Sequence, residues 1–465
     1  MRRELLKFDR AAHLPEVARP CMERERTKSP AFDLRRATAY LETFLLIGGF
    51  VAYLYWRPPG YWGDGEDRGN AIMDLIENGR LTPIKYSYVG PLFSIPFYIL
   101  DKWFHSNHRL FFRYNYFVFA IGAAIAYFTL RKRIDPALLR RFFLLLLTAS
   151  MFPYHVRTFY GETFSAVCAA VGILLVSYGH PLGGWSLTTL AVLNTPALAV
   201  GMALVCVASA WRESNWQHLM PLVIAVAGIL LESFIVRGSP LVSGYENDGV
   251  GPPGIRPYGG LGGFSFPFFF GALSVLLSFG RGILFYAPGL WLAFQRPKCQ
   301  PTMHRAYVLW MLFLLGEILV YSRWHAWHGA GFWGPRLFLF ASIPACYLLV
   351  IRLANRDQGL VGNLLTAGVL AASAWVGING AIFHLKTLSD GICEQFEGTL
   401  CLYVPEFSPL WQPFVKLPPL SSDDWKVAIF SAVVFAVLAA PLVARIARQV
   451  ATGIQARQLM VRTRG

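Results

Sequence analysis

The chain has 465 residues, 55% hydrophobic and 15% aromatic but only 15% charged, and a net charge of +15. Soluble domains carry about 25% charged residues, so this composition excludes an ordinary soluble protein. Apolar runs that are continuous rather than alternating exclude a β-barrel. The positive charge does not point to nucleic acid, because Arg and Lys cluster between apolar runs on one side, as in basic loops that face anionic lipid.

Residues 1–37 are charged and mixed, without a cleavable signal pattern, and are expected to form a basic cytoplasmic tail. The first span covers 40–56 and leads into an outer loop over 57–109. That loop opens on Trp62-Gly63-Asp64-Gly65-Glu66-Asp67, three acids beside lipid headgroups, where carboxylates are costly unless solvated or used. Asp64, between two glycines, reads either as a tight turn or as a general base with a clear approach to an acceptor hydroxyl. Asp67 stands where a helix is expected to begin and reads as its cap, and Glu66 as a solvated charge or a reserve base. Ala71, Ile72, Leu75 and Ile76 fall at helical spacing and Gly79 ends the pattern, which predicts a short amphipathic surface helix. The apolar stretch 91–100 is too short to cross and predicts a second interfacial helix.

Further spans are expected over 110–130, 141–156 and 163–179. The run 183–210 is too long for one span and carries Asn194-Thr195-Pro196 at its middle, which predicts a hairpin of two short helices. Spans at 217–235, 282–295, 306–321, 337–351, 361–383 and 426–444 complete a bundle of about twelve, and 446–465 forms a second basic tail. The remaining outer loops are 237–267, 321–336 and 384–425. Seven Cys include no CxxC pair; Cys393 and Cys401 share the last outer loop and read equally as a disulfide or as two thiols.

Three outer segments carry further candidates. Glu162 lies between two spans and either orients a hydroxyl or pairs with Arg157. Arg281, in Ser278-Phe279-Gly280-Arg281-Gly282, either snorkels to headgroups or binds a phosphate bidentately. The segment from Trp324 to Arg336 holds Trp324, His325, His328 and Trp333, which suit an aromatic belt or contact with a sugar or isoprenoid. His325 and His328 have metal-like spacing but no third ligand, so a divalent cation stays open. Arg336 repeats the setting of Arg281, and two such arginines suggest a phosphate clamp.

Gly63-Asp64-Gly65, Ala71, Glu77-Asn78-Gly79 and a Pro-rich apolar segment before Arg113 together resemble the first outer loop of GT-C glycosyltransferases. Within that group the chain is similar to the bacterial branch of dolichyl-phosphate-mannose protein mannosyltransferases and the lipid A aminoarabinose transferase. Glu162, the segment Ser278 to Gly282 with Tyr286-Ala287-Pro288, and Gly331-Phe332-Trp333-Gly334-Pro335-Arg336 carry the likeness through about 35–445. Asp67 and Arg68 stand where the family usually has aromatic residues. The resemblance implies an all-α polytopic membrane protein with a GT-C bundle, a polyprenyl-phosphate sugar donor and a lipid, glycan or protein acceptor. It implies Asp64 as the base, in a bacterial inner membrane; the span count and arginine placement are expected to put both termini inside and the acidic loop outside.

A transporter or flippase of a lipid-linked substrate is the competing class. It needs polar groups near mid-span, and the candidates are few: Asn194, Glu232 and Glu317.

Overall fold

The computed structural model describes residues 31–246, 261–292, 301–329, 333–384 and 399–462. Among these there is no strand, only an isolated parallel bridge between Gly60 and Thr158. The longer helices are α1 (Ala31–Trp56), α2 (Asp64–Asn78), α3 (Ile95–Phe104), α4 (Tyr114–Leu130), α5 (Pro136–Thr148), α6 (Gly161–Ser177) and α7 (Pro181–Asn194). They continue as α8 (Ala199–Glu213), α9 (Met220–Arg237), α10 (Phe268–Leu277), α11 (Pro301–Tyr321), α12 (Ser342–Ala354), α13 (Leu360–Ile382) and α14 (Ser422–Arg462).

Eight helical segments among the described residues are long and apolar enough to cross a membrane, which makes the chain a polytopic helical membrane protein. This corrects the expected twelve. The run 141–156 breaks into α5 and a single turn over Phe152–His155, and 282–295 holds only one-turn pieces. Apolar helices α6 and α7, at 17 and 14 residues, fall below spanning length. In α6 only Glu162 and Leu175 escape full burial. A helix sheathed in protein has no bilayer thickness to match, so apolar composition alone overcounts spans.

The run 183–210 is two helices, α7 and α8, broken at Asn194-Thr195-Pro196. Helix α7 returns along α6 at close range. A Cβ on Gly172 would stand 2.6 Å from the Gly184 carbonyl, so only small residues permit this crossing.

The two ends of the bundle differ in charge chemistry. At one end, Glu42 of α1 is 1% exposed and accepts from Arg140 Nε at 2.9 Å and Arg141 Nε at 2.6 Å. Arg305 pairs with Glu213, and Arg445 donates twice to the Leu353 carbonyl at 3.0 Å. This basic end matches the segments read as inner from their arginines.

The opposite end carries α2, α3 and the loops that pack on them. Ala71, Ile72, Tyr98, Phe111, Tyr114 and Phe159 form a separate small core beneath α2. Arg57 at the end of α1 binds buried Asp424 at the start of α14 at 2.8 Å. Cys401 is disulfide-bonded, whereas Cys393 lies outside the described residues.

Candidate functional site

Helix α2 begins three residues earlier than its hydrophobic pattern suggested, at Asp64, and ends at Gly79 in the left-handed conformation (φ 64°). The cap residue is therefore Gly63, not Asp67. Gly63 has φ 55° and ψ −133°, a region that penalises any side chain. Gly65 packs on the Phe159–Tyr160 backbone, where a Cβ would come within 3.2 Å of the Phe159 Cβ. Gly65 thus lets the start of α2 press onto the segment preceding α6. The bridge strengthens this contact, with the Gly60 amide donating to the Arg157 carbonyl at 2.7 Å and Phe159 returning to Gly60 at 3.1 Å.

Asp64 occupies the first helical position, where the α2 macrodipole favours an anion. Its Oδ2 accepts from Arg336 Nη2 at 2.6 Å. The Arg336 guanidinium also stands 3.5 Å from Glu162 Oε1, donates from Nε to the Gly329 carbonyl at 2.8 Å and lies 5.3 Å from the Tyr160 ring centroid. It is 6% exposed. Two carboxylates from separate segments therefore flank one buried arginine. Glu162 pairs with Arg336 rather than with Arg157, and its buried Oε2 has no hydrogen-bond partner among the described residues.

Two residues that the sequence did not single out complete the surroundings of Asp64. Tyr86 hydrogen-bonds to it, and the Arg68 guanidinium lies over the Tyr86 ring at 4.6 Å. Arg68 is buried and donates to the Ser87 carbonyl at 3.3 Å. Burial pushes the Asp64 carboxyl upward, but the Arg336 charge, the bonds from Tyr86 and Arg336, and the charge of Arg68 together hold it below the usual carboxylate range. Tyr86 moves the other way: burial and then the Asp64 charge keep its phenol protonated. Arg68, four residues after Asp64, had a helical-spacing signal that could have found it. Tyr86 and Tyr245, whose rings meet at 6.3 Å, had none.

Arg281 reaches the same end by another route. Its segment is a bend after α10 rather than the opening of a span. Ser278 Oγ donates to the Leu402 carbonyl at 2.6 Å, and the Gly280 amide to the same carbonyl at 3.0 Å. The Arg281 side chain is buried, donates to its neighbour's carbonyl at 3.0 Å, lies near Tyr286 and Tyr154 and feels the charge of Arg336. Trp333, 2% exposed, packs on Tyr154 and Tyr286 and is bonded through Nε1 to Asn379 at 2.6 Å. Trp333 is thus a buried support, not an open sugar platform.

The other candidates lie further out. Glu66 and Asp67 are exposed on α2, and neither reaches Arg336. Trp324 packs on Tyr245, Phe264 and His325 at the rim. His325 bonds Gly263 through its backbone amide at 2.9 Å, and His328 packs edge-on against Trp327. These two histidines sit in turns rather than on a helix, and among the described residues no three metal-ligating side chains gather. Residues 330–332 of the same motif lie outside the described residues.

The scaffold beneath the site rests on two buried amides. Asn115 donates to the Thr158 and Tyr160 carbonyls at 2.7 and 2.8 Å. Asn194 accepts from the Gly90 amide at 3.0 Å and donates to the Gly161 carbonyl at 2.9 Å and Ser165 Oγ at 2.7 Å. Compared with protein-family models, with curated proteins and with solved structures, the chain has no match.

Proposed function

We propose that the chain is an inverting membrane glycosyltransferase that moves a sugar from a polyprenyl-phosphate donor to an acceptor hydroxyl. In this scheme the acceptor oxygen attacks the anomeric carbon as its proton passes to Asp64. The bond to the lipid phosphate breaks, and the phosphate leaves with the electron pair. Arg336 and Arg281 supply positive charge where the leaving group develops its own. No enzyme nucleophile is needed, so the anomeric configuration inverts.

The observation that supports this most is the convergence of Asp64, Glu162 and Arg336 on one buried cluster. The unsatisfied Oε2 of Glu162 is an acceptor suited to a sugar hydroxyl. The bond from Arg336 weakens Asp64 as a base. A donor phosphate that shares Arg336 would loosen that hold and raise the basicity of Asp64 as the substrate arrives. The basic end then faces the cytoplasm, in accord with the positive-inside rule, and the site opens to the exterior of a bacterial inner membrane.

Of the three polar groups that a transporter would place near mid-span, two serve the scaffold at the site end. Asn194 is committed as described, and Glu232 accepts from Ser87 Oγ at 2.8 Å and the Tyr88 amide at 2.7 Å. The deciding experiment is transfer from synthetic polyprenyl-phosphate sugars by purified protein and by Asp64→Asn. Substrate flux into proteoliposomes with no sugar transfer would instead establish a transporter.

A further inference from the structure

Within the membrane-spanning body, an apolar crevice opens between α4 and α5. Side chains of α4, α5, α6, α11 and α12 line it. Phe119, Ala126, Leu139, Phe143, Val171 and Leu174 are among its walls. The only polar tips along it belong to Trp310 and Tyr347, and Trp310 Nε1 is already bonded to the Ala170 carbonyl at 3.1 Å. Apart from these two tips the wall is apolar.

The gap has a structural cause. Helix α4 is held against α6 at Gly122, where any side chain would collide with Val167. Helix α5 is drawn toward α1 by the two bonds from Arg140 and Arg141 to Glu42. The helices diverge because each is committed to a different neighbour.

One end of the crevice is flanked by cations. Leu130 lines the crevice, and Arg131, Lys132 and Arg133 follow it directly, all exposed. Arg133 donates to the Tyr178 carbonyl at 2.7 Å, and Asp135, the near acid, caps α5 through the Ala137 amide at 3.0 Å. Arg140 and Arg141 are neutralised in part by Glu42, so the cationic excess lies at 131–133. An apolar slot that ends in exposed cations, on a helix whose Ile121 and Phe128 face outward at 57% and 60% exposure, complements an anionic amphiphile.

We propose that this crevice is a structural lipid site that takes one acyl chain of an anionic glycerophospholipid, with the lipid phosphate seated on Arg131 and Lys132. The site lies at the basic end, apart from Asp64 and Arg336, and does not depend on the glycosyltransferase assignment.

The test is native mass spectrometry of the full chain in detergent, titrated with phosphatidylglycerol or phosphatidylcholine. One phosphatidylglycerol should bind in preference to phosphatidylcholine. Arg131→Gln with Lys132→Gln should weaken it roughly 30-fold, as expected for two surface cations. Ala123→Phe, which fills the crevice, should abolish the tight site. Equal affinity for the two lipids, or unchanged binding in the charge variant, overturns the proposal, as does tighter binding of a polyprenyl phosphate at the same site. Should the filling variant misfold, a phosphatidylglycerol carrying a diazirine on its acyl chain keeps the test open on the wild-type chain. Labelling of α4, α5 and α6 supports the site, and labelling confined to other helices overturns it.

Discussion

Asp64 and Arg336 are 272 residues apart in the chain, yet they meet through a 2.6 Å bond between Oδ2 and Nη2. One stands at the first position of α2 and the other just before α12. Their pairing joins the first outer loop to the late half of the bundle. It also gives a buried arginine a carboxylate that remains partly open, with 21% of its side chain exposed.

Asp64→Asn keeps the shape and a hydrogen-bond acceptor for Arg336 but removes the proton acceptor. We expect transfer to fall by about 10²–10⁴-fold in a chain that still folds but melts somewhat below wild type at neutral pH, because the charge pair with Arg336 is lost. Full activity in this variant sinks the base assignment. Glu66→Gln and Asp67→Asn should leave activity within about twofold, because both side chains are exposed and neither touches Arg336.

Arg336→Ala should be more damaging to the fold than to any single contact. It leaves Asp64 and Glu162 facing one another around a cavity without their shared cation, a loss of about 3–5 kcal/mol. Arg336→Lys keeps the charge but cannot reproduce the forked geometry together with the Gly329 bond. It should recover much of the thermal stability and little of the transfer. Equal melting temperatures for the Ala variant and wild type would contradict this.

The Asp64 carboxyl titrates lower in the folded protein than the ordinary value of about 3.9. Its contribution is therefore fully present above about pH 4 and is lost as pH falls through the lower folded value. Melting temperature measured from pH 6 down to pH 3 should fall less steeply in Asp64→Asn than in wild type. Parallel curves would show that Asp64 is not held by Arg336 in solution.

Asn194→Leu strips the Gly90 amide and the Gly161 carbonyl of their partner in a buried place, at a cost of about 1–3 kcal/mol for each group left unsatisfied. The chain should melt earlier, and protease should cut the first outer loop sooner than in wild type. Glu42→Gln tests the other end: it leaves Arg140 and Arg141 without their counter-ion and should lower stability by about 3–5 kcal/mol with no change in the transfer of the surviving folded fraction.

Much of the class was legible before any coordinates. Apolar runs and arginine placement gave a polytopic helical protein with a basic end, Gly79 marked the end of α2, and Asn194-Thr195-Pro196 marked the break between α7 and α8. These features are local, because helix length, glycine in a left-handed turn and proline at a break depend on residues a few positions apart. The span count was not local. Whether a short apolar helix such as α6 must match a bilayer depends on what surrounds it, and its neighbours come from distant parts of the chain. The same limit applies at the site. Sequence nominated Asp64, Glu162, Arg281 and Arg336 as separate candidates, and it set Asp67 as a cap that the fold assigns to Gly63. Only the tertiary structure decided that Arg336 lies between Asp64 and Glu162, that Tyr86 and Arg68 join them, and that Trp333 is buried. Coulombic and hydrogen-bonding partners are selected by proximity in space, and in a bundle of crossing helices proximity is set by packing rather than by order along the chain.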